Sequence, residues 1–299
     1  MTEALPVAGV DDLREALDRE GYLADDALAT ALYLALRLRQ PVLLEGEAGV
    51  GKTHAARALA AAVGAPLLRI QCYEGLTAAE TIYEWNYPRQ LLAIRVAEAR
   101  GAPLAETDLF TEEFLLARPL LAAITHPGPT PAVLLVDEVD RADDEFEAFL
   151  FEALAEAAVT IPELGTRRAT VPPVVVLTSN RTRDLHDALK RRCLYHWIAY
   201  PGVERVERIV ARRVPGAPGW IARQVAAAVG RMRGLALQKP PGVAEAVNWA
   251  DALQALGVTR LDEAAAARTL SAVLKYPEDV DLVGDLVRDG GLAALLQHG

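Results

Sequence analysis

Residues 46–53 read "GEAGVGKT" and satisfy the spacing G-x-x-x-x-G-K-[ST] at every position. The chemistry open to such a run is phosphate binding. Gly46, Gly49 and Gly51 let backbone N–H groups turn inward around an anion. Lys52 carries a point charge to the outer phosphates, and Thr53 offers a hydroxyl to Mg2+. Glu47, Ala48, Val50 and His54 complete or flank the same cradle. A second group of residues suits the metal side of that chemistry. In "VLLVDEVD" (133–140) an apolar run ends in Asp137 and Glu138. One carboxylate there can hold the Mg2+ shell while the other orients a water on the terminal phosphate. Asn180 closes the run "VVVLTSN", where its amide can reach that water or the phosphate; an asparagine in an ordinary turn fits the same position.

The elements that must position these residues are legible around them. "PVLLEGEAGVGKTHAARALAAAVGAPLLRIQC" (41–72) reads as strand, Gly-rich loop, Ala-rich helix and strand. That is a βαβ unit, which implies a parallel sheet. "AVLLVDEVDRAD" (132–143) is a buried strand ending in acids, residues 144–157 an amphipathic helix, and "PVVVLTSN" (173–180) another buried strand. Parallel α/β sheets place their sites at the C-terminal ends of such strands. Two short β-like runs about a glycine turn predict a hairpin at about 159–171. Residues 11–39 carry two helical patterns, and 72–130 is mostly helical by pattern. Strand signals stop after "YPG" at 200–202. Helices are then expected at 203–214, 217–233, 242–256, 260–275 and 279–297. A domain boundary falls near residue 201.

Length and composition bound the rest. The chain has 299 residues, 52% hydrophobic and 24% charged, enough for one large or two moderate domains. Its net charge of −10 disfavours non-specific nucleic-acid binding. The opening "MTEALPVAGVDDLREALDRE" lacks the basic and apolar regions of a signal peptide, and no apolar run is long enough to span a bilayer. Cys72 and Cys193 form no CxxC pair and read as reduced, buried thiols of a cytoplasmic protein. His54, His126, His186 and His196 show no metal-ligand spacing. Tyr73, Tyr83, Trp85 and Tyr87 cluster in a chain with only twelve Tyr and Trp; they suit a contact surface or packing against a sheet equally.

The order of these parts resembles the AAA+ ATPases over nearly the whole chain. The hairpin ahead of the Asn180 strand resembles the insertion of the clade that holds MoxR proteins, magnesium-chelatase subunits and dynein. The segments "RIQCYEGLTAAETIYEWNYPRQLLAIR" (69–95) and "FTEEFLLARPLLAAI" (110–124) resemble the CoxD-like branch of the MoxR family. The resemblance implies an α/β fold: a parallel-sheet P-loop domain at 1–200, with a helix-2 insertion at about 72–110, and an all-α lid at 201–299. It implies ATP and Mg2+ as cofactors and a homo-oligomeric, hexameric ring. It further implies a von Willebrand factor A (VWA) domain adaptor and a client enzyme, with no nucleic acid and no membrane. Gly46 to Thr53 match Walker A, Asp137 and Glu138 match Walker B, with Thr53 and Asp137 toward Mg2+, and Asn180 matches sensor 1. "ALKRR" aligns with the arginine-finger segment, with Arg191 first and Arg192 second for the finger; Lys190 suits a helix end. One part of the pattern is missing: in "PPGVAEAVNWADAL" (240–253), Glu245 stands where the family carries a sensor-2 arginine. Two other classes remain open from the residues alone. One is a small-molecule P-loop kinase. The other is a nucleic-acid or GTP-dependent motor, although "NRTRD" (180–184) lacks the lysine of a GTP-selecting loop.

Overall fold

The computed structural model describes residues 7–296. Residues 1–6 of the opening stretch and residue 297, the end of the last expected helix, lie outside the described residues. The chain divides into two compact units. The first holds the described residues up to Glu20, Ala24–Glu45 and Thr53–His196; the second holds Gly21–Leu23, Gly46–Lys52 and the chain from Trp197 onward.

The first unit runs α1 (Val10–Arg19), α2 (Asp26–Leu38), β1 (Val42–Glu45), α3 (Lys52–Ala62), β2 (Leu67–Gln71), α4 (Ala78–Ile82), β3 (Tyr83–Trp85), α5 (Tyr87–Ala99), β4 (Leu115–Ala117) and α6 (Pro119–Ile124). It continues with β5 (Val133–Asp137), α7 (Asp144–Glu156), β6 (Ala158–Ile161), β7 (Gly165–Arg168), β8 (Val174–Ser179), α8 (Asp187–Lys190) and β9 (Leu194–Trp197). Five strands form one sheet in the order β2-β5-β8-β1-β9. The pairs β2–β5, β5–β8 and β1–β8 are parallel. Strands β1, β5 and β8 are buried at every position, the pattern of strands covered on both faces. Edge strand β2 is buried only at Ile70, so its polar residues stay within reach of solvent. Local caps support the helices: Asp25 accepts from the Leu28 N–H and Asp143 from the Phe146 N–H, both at 2.8 Å.

The second unit contains α9 (Val203–Arg213), α10 (Gly219–Met232), α11 (Val243–Ala255), α12 (Glu263–Val273), α13 (Pro277–Leu286) and α14 (Leu292–Leu296). Its core includes the fully buried Trp249, whose indole N–H donates to Thr269 Oγ1 at 2.8 Å. A parallel α/β sheet followed by helices is the architecture the sequence predicts.

Several local expectations need correction. The span 72–130 is not simply helical, because β3 and β4 pair antiparallel there. These strands are three residues each, too short to leave a periodicity. Strand β9 was not expected; it joins the sheet edge beside β1, with the Leu194 N–H on the Pro41 carbonyl at 2.8 Å. The helix expected at 279–297 starts at Pro277 and breaks at 287–291, where Gly290 has φ +81°. The clustered aromatics divide: Trp85 is buried between edge-on contacts with Tyr83 and Phe110, whereas Tyr73 and Tyr87 are exposed. Cys72 is buried as expected, but Cys193 only in part. Residues 158–168 form an antiparallel hairpin, Ala158 facing Arg168 and Ile161 facing Gly165. Among the described residues, no helix is long and apolar enough to cross a membrane.

Candidate functional site

The Gly-rich loop leaves β1 at the buried Glu45 and enters α3 at Lys52. Its backbone is crowded. A Cβ on Gly46 would lie 2.3 Å from the Ile198 carbonyl oxygen, so only glycine fits. Gly49 has φ +81°, and a Cβ there would meet Glu245 Oε2 at 3.0 Å and Gly242 Cα at 3.3 Å. The Gly49 carbonyl accepts from the Val243 N–H at 3.0 Å, which fastens the loop to the first turn of α11. Lys52 is buried, and its ammonium donates to the carbonyls of Gly46 at 2.6 Å and Glu47 at 2.8 Å. Glu47 and Ala48 stand exposed at the tip, Val50 is buried beneath them, and His54 lies half-buried in the first turn of α3.

One residue further on, Thr53 belongs to the carboxylate cluster of the sheet. Its hydroxyl donates to Asp137 Oδ1 at 2.9 Å. Asp137 ends β5 and is almost wholly buried. Its Oδ1 also accepts from Thr178 Oγ1 at 2.6 Å, and its Oδ2 accepts from Arg69 Nε at 3.0 Å and Nη2 at 2.6 Å. Glu138 follows in the left-handed region, φ 57° and ψ 50°, a strained backbone for glutamate. That turn aims the two neighbouring carboxylates differently. The Glu138 N–H donates to Thr178 Oγ1 at 2.9 Å. Its Oε1 accepts from Asn180 Nδ2 at 3.3 Å; its Oε2 accepts from Gln71 Nε2 at 3.0 Å and Arg141 Nη1 at 3.1 Å. The loop that carries Asn180 is held by Asp140, whose Oδ2 accepts from the N–H groups of Asn180 (3.2 Å) and Thr182 (2.8 Å) and from Thr182 Oγ1 (2.7 Å).

Thr53, Asp137, Glu138 and Asn180 are thus brought together as one hydrogen-bonded group. Sequence reasoning missed Arg69, Gln71, Thr178 and Asp140. The signal for the first two was alternation: Arg69 and Gln71 are i, i+2 on β2, and Gln71 pairs in register with Asp137. The donor set of Thr53 and Asp137 is a hydroxyl and a carboxylate, all oxygen, which fits a hard divalent cation such as Mg2+. Among the described residues no cluster of three or more His, Cys, Asp or Glu stands as a separate metal site. The thiol of Cys72, next to Gln71, is pushed up to about 12 by burial and by the carboxylates of Asp137, Asp140, Glu138 and Glu147.

The arginines separate by their partners. Arg183 is committed within the fold: its guanidinium donates to the Ala142 carbonyl and pairs with buried Glu147. Arg181, also left-handed at φ 57°, lies 3.9 Å from Glu45 Oε2. Arg192 stacks over the Phe151 ring at 3.9 Å. Arg191 caps the four-residue α8, is exposed, and has no hydrogen bond or ion pair from its guanidinium among the described residues. Lys190 occupies the last turn of that helix. In the second unit, Glu245 is the third residue of α11, and its Oε2 accepts from the Gly242 N–H at 3.0 Å. The position read for a sensor-2 arginine therefore caps a helix. The guanidinium nearest in sequence before it is that of Arg233. It donates to the carbonyls of Pro241 (2.8 Å) and Pro201 (2.9 Å) and covers the Tyr200 ring at 4.5 Å. Burial lowers the Arg233 pKa and raises that of Tyr200.

A five-stranded parallel sheet with a P-loop, an acidic strand end and a neighbouring asparagine defines an AAA+ P-loop NTPase. Residues 41–193, just over half of the chain, match the AAA domain of the dynein-related subfamily, and the chain belongs to that family. Protein CbbQ of Allochromatium vinosum is 34% identical over 73 residues, which are 24% of this chain and 99% of that sequence. Together these make it a MoxR-like AAA+ ATPase. The Thermotoga maritima RuvB Holliday junction branch migration motor superposes with a TM-score of 0.52 at 17% identity, over 95% of this chain and 85% of that one. A point variant of that motor gives 0.52 at 17% identity, over 96% and 85%. At such identity the likeness is one of fold.

Proposed function

We propose that this protein hydrolyses ATP in a Mg2+-dependent reaction and works as a ring-forming, chaperone-like motor. The observation that carries the reading is the bonding around Glu138. Its carboxylate is anchored by Gln71, Arg141 and Asn180, beside a Thr53–Asp137 pair of metal-binding character. In this reading the backbone of residues 46–51 and the Lys52 ammonium hold the phosphates. Thr53 and Asp137 would hold Mg2+, which neutralises phosphate charge when bound. Glu138 orients and deprotonates the attacking water, and Asn180 fixes that carboxylate and the water. Lys52 exchanges its two loop carbonyls for phosphate oxygens on binding.

Arg191, exposed and without an ion pair among the described residues, supports its role as the finger offered to a neighbouring subunit of a hexameric ring. Arg192 is engaged on Phe151 and is the second choice. The segments 69–95 and 110–124 support the CoxD-like branch. With it come a VWA-domain adaptor, a (metallo)enzyme client whose maturation the motor assists, and a cytoplasmic setting in keeping with two free cysteines. Glu245 is spent on a helix cap and carries no positive charge, so in this reading either another cation takes the sensor-2 role or nucleotide sensing by the helical unit is weak.

The test is Glu138→Gln. It keeps the shape and, through its one amide oxygen, the hydrogen bond donated by Asn180, but removes the base. Nucleotide binding should persist, and turnover should fall by about 100-fold or more. Normal turnover in that variant would sink the assignment. A tagged Glu138→Gln protein purified with ATP should retain its adaptor and client; retention of nothing but itself would remove the chaperone reading.

A further inference from the structure

Arg69 sits on edge strand β2, with its side chain 40% exposed, whereas the side chain of its partner Asp137 is only 3% exposed. Two of its nitrogens, Nε and Nη2, converge on the single oxygen Oδ2 of that carboxylate. The other oxygen, Oδ1, accepts from the hydroxyls of Thr53 at 2.9 Å and Thr178 at 2.6 Å, and the Thr53 hydroxyl also reaches Oδ2 at 3.2 Å. These two kinds of partner differ in one respect. A hydroxyl keeps lone pairs, so Thr53 can stand beside Asp137 as a co-ligand of a cation. A guanidinium has donors only and carries a full positive charge. It cannot share an oxygen with a dication without strong like-charge repulsion.

We propose that Arg69 is a built-in counter-cation of the metal-side carboxylate, which Mg2+ must displace when Mg2+–nucleotide binds. This rests on the reading of Asp137 as a Mg2+ ligand. The geometry provides for the exchange. Asp137 is fixed by burial and by two threonines, while Arg69 has a long stem at the open edge of the sheet. Arg69 Nη2 also donates to Gln71 Oε1, so a guanidinium that leaves Asp137 keeps a resting partner. Gln71 is in turn the residue whose amide holds Glu138. Arg69 therefore neutralises the buried Asp137 in the absence of metal and raises the Mg2+ concentration at which the loaded state forms.

The experiment is a Mg2+ titration of a fluorescent ADP analogue bound to the full chain, read as the midpoint Mg2+ concentration, with binding in EDTA measured alongside. Arg69→Met removes the competing charge and should lower the midpoint by about tenfold, while binding in EDTA should weaken, because Asp137 is then left unneutralised beside the phosphates. Arg69→Lys keeps a charge but loses the two-donor grip, and should give an intermediate midpoint. An unchanged or higher midpoint in Arg69→Met overturns the proposal. If that variant fails to fold, a Lys variant with the wild-type midpoint overturns it instead. Wild-type protein that binds the analogue at no Mg2+ concentration overturns the proposed function and this inference with it. Binding with unmoved midpoints overturns the inference alone.

Discussion

Replacing Asp140 with alanine should destabilise the first unit and disable turnover together. The residue is 2% exposed, and its Oδ2 accepts three hydrogen bonds from Asn180 and Thr182. A bond to a charged acceptor contributes about 1.5–3 kcal/mol, and three sharing one oxygen fall short of their sum. Set against that is the desolvation of Oδ1, which is buried without a partner among the described residues. Breaking such a buried charged network costs about 3–5 kcal/mol, because two backbone N–H groups lose their acceptor. For a unit of this size the melting temperature should fall on the order of 10 °C, measured by scanning fluorimetry. Nucleotide affinity should change little, since Lys52 and its loop are untouched. Turnover should drop because Asn180 loses the anchor that aims its amide at Glu138. Asp140→Asn keeps an acceptor oxygen but not the charge, and should lie about midway. A melt of Asp140→Ala within about 2 °C of wild type, with turnover intact, would refute the reasoning.

Three further outcomes are expected. Arg191→Ala should bind nucleotide normally but hydrolyse slowly, and mixing it with Lys52→Ala should restore part of the turnover at shared interfaces; absence of rescue in assembled rings returns Arg191 to a charged helix end. Gly46→Ala drives a methyl against the Ile198 carbonyl at 2.3 Å and should cost about 1–3 kcal/mol and most nucleotide affinity, checked by melting and by binding of a fluorescent analogue. Burial raises the thiols of Cys72 and Cys193 from the ordinary value near 9 to about 12. Neither should react quickly with a disulfide reagent at pH 8 until denaturant is added. Between pH 9 and 12 the unfolded chain ionises these thiols while the folded one holds their protons, so stability should decline across that window. Rapid labelling of native protein at pH 8 would contradict this.

What was legible in the sequence is what local chemistry dictates. Residues 46–53 and the strand leading to Asp137 announce themselves through backbone demands that few other sequences satisfy. The partners of those residues are set by strand order, which the linear chain does not show. Arg69 and Gln71 meet Asp137 and Glu138 because β2 lies beside β5 in parallel register. Thr178 meets both acids because β8 flanks β5 on the other side. Asp140 read as one more acid in a run, and only the fold shows it holding the Asn180 loop. The pair β3–β4 escaped because three residues cannot establish alternation, and β9 because polar His196 and exposed Tyr195 and Trp197 break the apolar pattern of a strand.

Gly49 and Gly242 lie back to back. A Cβ on Gly242 would stand 3.0 Å from both Cα and C of Gly49, and one on Gly49 would stand 3.3 Å from Gly242 Cα. The first glycine belongs to a motif any reader would mark, the second to an unremarked "PPG". Their tolerance to substitution is therefore joint. In a saturation library selected for function, Gly242 should be as depleted of alternatives as Gly49. A chimera that exchanges residues 197–299 for those of a relative should succeed only where the incoming segment also supplies a glycine to face the loop.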